Sequence, residues 1–431
     1  MRALFTSLHR WAGLITAAFL FMAGLTGAVI SWDHELDDLL IRRFIEVNSP
    51  GPARPSAELA KLIEQRDQRA RVTYLFTTPE AGESLWFFVE PRIDPATGKR
   101  HVLDYNQVYL DPNTGEELGR RYWGSVWPIT RENVVSFLYR LHYSLHIPEF
   151  WGSDRWGIRL LGIIAVIWTI DCFVSFYLTL PARRKSNALR PAVVSRELSK
   201  GFWARWKPAW MIKTSGSAYR INFDIHRAFG LWTWLLLFVI AFTAFSLNLF
   251  SEVFSPVMKT VSNYTPSPYE TRSPTAPDRP IEPKITFAEI IAKAEADGRS
   301  RGWSTPVGSA SYALQYGIYE VQYFKPGDDH GAGGVGPARL YYDGLDGRPL
   351  GAHLPWEGTA ADIFVQAQFP VHSGRILGLL GRIIISAMGL VVAALSVTGV
   401  VIWYRKRRAR LSLKAKDRSG VSDGGSLAPA E

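Results

Sequence analysis

The sequence predicts a membrane α-helical protein in which four transmembrane helices alternate with two exterior α+β modules. Three observations predict it. Four apolar runs approach the ~20 residues that cross a hydrocarbon core. Charge is distributed unevenly around them. An internal repeat divides the 431 residues into two helix–module–helix halves.

The first run places a transmembrane helix at 8–31. Its apolar stretch exceeds the ~7–15 residues of a secretory signal, so it is read as an anchor that stays. A first exterior module follows over 32–156, then a helix at 157–180 and a basic loop over 181–227. The second half repeats the plan with a helix at 228–250, a module over 251–371, a helix at 372–404 and a basic tail over 405–431. The loop carries eleven Lys and Arg against two acids and the tail eight against three, whereas the modules carry fifteen against nineteen and ten against fourteen. Lys and Arg are retained on the cytoplasmic side, so both termini are expected inside and both modules face the periplasm or exterior. The overall net charge of +10 is then a signal of topology in a lipid bilayer, and no nucleic-acid partner is inferred.

Each module reads as α+β. The segments "SAELAKLIEQRDQRA" (56–70) and "TFAEIIAKAEADG" (286–298) open with Ser or Thr near a Glu and predict helices. Alternating segments such as "SLWFFVE" and "GIYEVQYF" predict strands. The Pro-rich stretch 263–283 predicts an extended linker. Cys172 is the single cysteine and lies in the second run, which excludes a disulfide framework, a thiolate metal site and covalent haem attachment.

The repeat has two anchors. His9, Arg10, Gly13 and Leu14 match His226, Arg227, Gly230 and Leu231 as H-R-x-x-G-L. Asp111, Gly115, Leu118 and Gly119 match Asp343, Gly347, Leu350 and Gly351 as D-x-x-x-G-x-x-L-G. Carrying the register onward sets His142 beside His372. Because each half crosses twice, the halves share one orientation and predict a pseudo-two-fold axis along the membrane normal.

These motifs, with "FPVHSGRILGLLGRIIISAMGLVVAALSVTGVVIW" near the C-terminus, resemble the PepSY-associated transmembrane family. The resemblance covers nearly the whole chain. It implies PepSY-like modules, a bacterial inner-membrane location and similarity to haem-containing ferric-siderophore reductases, with a ferric siderophore or other ferric chelate as partner.

The repeated histidines then form two sets at two depths, His9 with His226 on the inner side and His142 with His372 on the outer. Paired imidazoles fill both axial positions of a haem iron and leave no open site for O₂. Two haem b groups are therefore expected, with these four histidines as iron ligands. His146 competes with His142 for the outer role, since it stands at i+4 and is expected on the same helical face; that pair alone is also a possible di-His metal site. Arg10, Arg227 and Arg375, with Arg159 and Arg382 nearby, are read as propionate partners, against the alternative of interfacial arginines reaching head groups. Asp171, the acid inside the second run, is read as support for a ligand histidine or as a proton carrier, against a protonated packing residue. No catalytic residue is identified.

Other features draw less. His34 with Asp33, Glu35, Asp37 and Asp38 forms an acidic exterior patch, read as a solvated helix end against contact with a ferric complex, and His101, His330 and His353 read as surface residues. "GAGGVG" (331–336) fits G-x-G-x-x-G but precedes Pro337 and an expected strand, so dinucleotide binding is discounted. The inner loop is too short for a flavin domain, so the electron donor is expected to be a separate protein or quinol. "FWARWKPAW" (202–210) either docks that donor or forms an aromatic belt. The rival readings are a non-enzymatic membrane scaffold or uptake component binding an exterior partner, and a permease, disfavoured because no transport helix reads as broken.

Overall fold

The computed structural model describes residues 1–182 and 201–420, so parts of the expected basic loop and tail lie outside the described residues. The chain divides into a helical unit, Met1–Ala28, His142–Leu249 and Ile385–Glu431, and a sheet unit, Val29–Leu141 and Phe250–Ile384.

Among the described residues, three helices are long and apolar enough to cross a membrane: Arg2–Ile30, Trp156–Thr179 and Arg375–Leu413. A bent pair, Ala218–Trp232 and Trp234–Asn248, makes a fourth if counted as one span. The last helix continues to Gly420 instead of stopping at 404. Its extension is rich in Lys and Arg, which form helix well and suit the negative C-terminal end of the helix dipole.

The unbroken third helix expected at 228–250 is corrected. The chain kinks by 70° at Thr233, where φ is −103° and ψ is 7°. The Thr233 hydroxyl donates to the Phe229 carbonyl at 2.8 Å, a local bond of the kind that bends helices. The flanking indoles pull in different directions, Trp232 donating to the Trp210 carbonyl at 3.1 Å and Trp234 to the Cys172 carbonyl at 2.7 Å. The premise that no span is broken therefore fails.

Small residues let helices of this unit touch backbone to backbone. A Cβ on Gly24 would stand 2.5 Å from the Gly389 carbonyl oxygen, and one on Gly389 would stand 3.0 Å from the Ala28 Cβ. Between apolar helices in lipid, close approach of this kind is the main attraction available.

The sheet unit departs from the expectation of two separate modules. Strands β1 (Ala70–Phe76), β2 (Leu85–Pro91), β3 (Gln107–Leu110) and β4 (Glu117–Arg121) belong to the first half of the chain, and β5 (Val307–Ala313), β6 (Ile318–Tyr323), β7 (Ala338–Asp343) and β8 (Pro349–His353) to the second. They join into one eight-stranded sheet ordered β4-β3-β2-β1-β5-β6-β7-β8, antiparallel throughout. The order is palindromic about the β1–β5 pair, in which Leu75 faces Ala310. Helices Ser56–Arg66 and Phe287–Ser300 supply Leu59, Ile63, Ile290 and Ala294 to one core with Leu75, Phe87, Val321 and Tyr342.

The D-x-x-x-G motif makes the turn of both outer hairpins. Asp111 Oδ1 accepts from the Asn113 and Thr114 amides, and Asp343 Oδ1 accepts from the Leu345 amide. Gly115 and Gly347 then take φ of +78° and +70°, which only glycine adopts without strain.

Two outcomes follow from this packing. Gly24→Val forces the first and last helices apart and should cost about 1–3 kcal/mol, read as a lower thermal midpoint in detergent. In the sheet unit, burial and the charge of Arg339 across the β7–β8 pair push the His353 imidazole down to about 4. The unfolded chain, near 6.5, takes up this proton first. Stability from His353 is therefore complete above about pH 6.5 and lost as pH falls toward 4. Unfolding followed from pH 7 to 4 should show a shallower decline in His353→Gln than in the wild type.

Candidate functional site

The helical unit gathers the histidines of the H-R-x-x-G-L motif. The His9 and His226 rings lie with centroids 6.2 Å apart and planes at 49°. Each is held at Nδ1 by the returning helix of its own half. His9 Nδ1 lies 2.8 Å and 3.0 Å from the two Asp171 oxygens, across 162 residues of sequence. His226 Nδ1 lies 2.9 Å from the Thr398 hydroxyl, across 172 residues.

These partners fix the tautomer. A carboxylate accepts, so His9 carries its proton on Nδ1. The Thr398 hydroxyl already donates to the Ala394 carbonyl at 2.7 Å, so its oxygen accepts from His226 Nδ1–H. Both rings are left with the lone pair on Nε2, the form that ligates a metal. Gly399 lies against the His226 ring, where an added Cβ would stand 3.1 Å from Cε1. At Gly13, one turn beyond His9, an added Cβ would meet nothing within 4 Å among the described residues outside its own helix backbone.

His142 is held in the same manner. Its Nδ1 lies 3.0 Å from the Thr26 hydroxyl, which donates to the Met22 carbonyl at 2.8 Å, and its ring lies where a Cβ on Gly27 would stand 3.0 Å away. His146 is not on the same helical face, which corrects the i+4 reading. The helix Val134–Ser144 ends before it, and Leu145 and His146 take φ of +57° and +52°. Pro148 follows shortly after, as prolines commonly do beyond a helix end that they cannot continue. His372 belongs to the sheet unit, in the short helix Gln368–Ser373 closed by Gly374 at φ +76°.

The arginines separate into two kinds. Arg10 and Arg227 each keep a buried Nε with no hydrogen-bond partner among the described residues. Arg10 otherwise donates to Ser7 at 3.2 Å, and Arg227 pairs with Asp224 at 2.8 Å. Arg375 instead faces Asp33 at 3.3 Å within the sheet unit, and Arg382 binds Glu35 at 2.6 Å. Arg159 donates to Ser153 at 3.1 Å.

Asp224 was not anticipated. It is fully buried and clamped by Arg220 and Arg227, both at 2.8 Å. The R-x-x-x-D-x-x-R spacing places the three on one helical face and was the available signal. Within the Trp-rich segment, Trp206 is buried with Leu231 and Phe176, while Trp203 remains exposed. "GAGGVG" runs into β7 rather than into a helix.

The donor set of His9 and His226 fits a haem iron. Two metal–imidazole bonds of about 2 Å, with each ring centre about 1 Å farther out, separate centroids by about 6 Å. Their neighbours Arg10 and Arg227 offer unpaired Nε groups suited to carboxylates.

No curated protein matches the chain. The family described as PepSY-associated TM region matches residues 6–406. The chain therefore belongs to the PepSY-associated TM region family.

Proposed function

We propose that the protein is an inner-membrane di-haem b electron-transfer protein that reduces a ferric chelate on the periplasmic side. The acceptor suggested by family resemblance is a ferric siderophore, and the electrons come from quinol or a separate donor on the cytoplasmic side. The reading counts the bent pair as one span, giving four spans in two repeats with both termini cytoplasmic.

The observation that carries it is the His9–His226 pair, two imidazoles with centroids 6.2 Å apart and both Nδ1 atoms engaged. A haem held there would supply one-electron redox chemistry at fixed geometry. His9 and His226 would hold the iron, and Arg10 and Arg227 would pair with propionates. Asp171 orients His9 and makes its Nε2 a stronger donor than that of His226, which has only a neutral hydroxyl behind it. The sequence repeat alone supplies the second haem, assigned to His142 and His372. Reduction favours release because hard oxygen donors hold Fe²⁺ less tightly than Fe³⁺.

The test is a reduced-minus-oxidised spectrum of the purified protein with haem quantified by pyridine extraction. About two b-type haems per chain are expected, and His9→Ala or His226→Ala should each remove one and abolish ferric-chelate reduction. A chain from haem-replete cells that carries none would favour the non-enzymatic scaffold. Asp171→Asn keeps the shape but removes the charge behind His9, and should weaken haem retention about 10- to 100-fold in apomyoglobin competition.

A further inference from the structure

The sheet unit holds a second group of metal-binding side chains, separate from the histidines above. His34 stands in the first turn of the helix Asp33–Ile45, and Asp329 and His330 stand in the loop between β6 and β7. One ligand atom from each lies within 4.8 Å of the other two. The two imidazoles meet edge to face with centroids 4.6 Å apart.

The glycine-rich motif left unused by the proposed function builds this corner. Directly after His330, Gly331, Gly333, Gly334 and Gly336 all take positive φ, and the Gly336 amide returns to the His330 carbonyl at 2.8 Å. A Cβ on Gly331 would collide with the Gly336 carbonyl, and one on Gly334 would stand 2.4 Å from the Arg375 Cβ. The Trp356 indole pins the loop by donating to the Ala332 carbonyl at 2.8 Å. The loop thus folds back on itself and presents His330 to His34.

We propose that His34, Asp329 and His330 form a binding site for a divalent first-row transition cation. Two imidazole nitrogens and one carboxylate oxygen suit such ions better than Mg²⁺ or Ca²⁺, which prefer oxygen donors. Ligand atoms around a common ion stand about 3.5 Å apart, so closure needs only a small rotation, which the exposed His34 side chain supplies. Arg375 is paired with Asp33, and Asp33 Oδ2 lies 3.9 Å from His34 Nε2 as a further oxygen donor. The site stands whether or not the helical unit holds haem. Only the identity of its ion as Fe²⁺, meeting nitrogen donors after leaving an oxygen chelator, rests on the proposed reduction.

The test is calorimetric titration of the full-length protein, without a histidine tag, with Zn²⁺ in the presence of excess Mg²⁺. The wild type should bind about one equivalent that His34→Ala/His330→Ala lacks, and Asp329→Asn should weaken it at least tenfold, with the haem content of each variant unchanged. Equal Zn²⁺ binding by wild type and double variant would overturn the site. Zn²⁺ binding by a protein that proves to lack haem would sustain it while removing the proposed function.

Discussion

An imidazole buried between apolar helices must find a partner for its N–H inside the protein, because lipid offers none. In the helical unit each such partner comes from another helix. Asp171 reaches His9, Thr398 reaches His226 and Thr26 reaches His142. These bonds pin helix to helix and at the same time decide which ring nitrogen stays bare. Glycines make the arrangement possible, since Gly27 and Gly399 leave room for rings that a side chain would displace.

The two halves solve the same problem with different chemistry. A carboxylate stands behind His9 and a hydroxyl behind His226, although both sit on the returning helix of their own half. A perfectly symmetric pair would have equal donors; this pair does not. The repeated architecture supplies position, and the single divergence between Asp171 and Thr398 supplies electronic inequality. The arginines diverge similarly, because Arg227 shares the buried Asp224 while Arg10 donates to Ser7 and lies over the Trp11 ring.

Apolar run length and the H-R-x-x-G-L repeat made the spans and the inner histidines legible, since both depend on local composition. The bend at Thr233 was not, because it arises from a threonine back-bond and two indoles anchored on other segments. Within the sheet unit the helices Ser56–Arg66 and Phe287–Ser300 and the strands β2 and β6 were readable from their local pattern. Their fusion into one sheet was hidden, because it rests on contacts such as Thr77 to Val307, 230 residues apart. Sequence order likewise concealed the meeting of His34 and His330. His146 is the instructive miss: the i+4 spacing suggested a shared face, yet Pro148 already marked the end of the helix.

The palindromic sheet has a consequence for how the chain is made. Until β5 is synthesised, β1 is an edge strand, with Tyr74, Leu75 and Phe76 awaiting partners from the other half. The central seam therefore cannot form until the second half of the chain has been made. A first half presented alone would expose that row of unpaired backbone groups, the kind of edge that pairs with other chains.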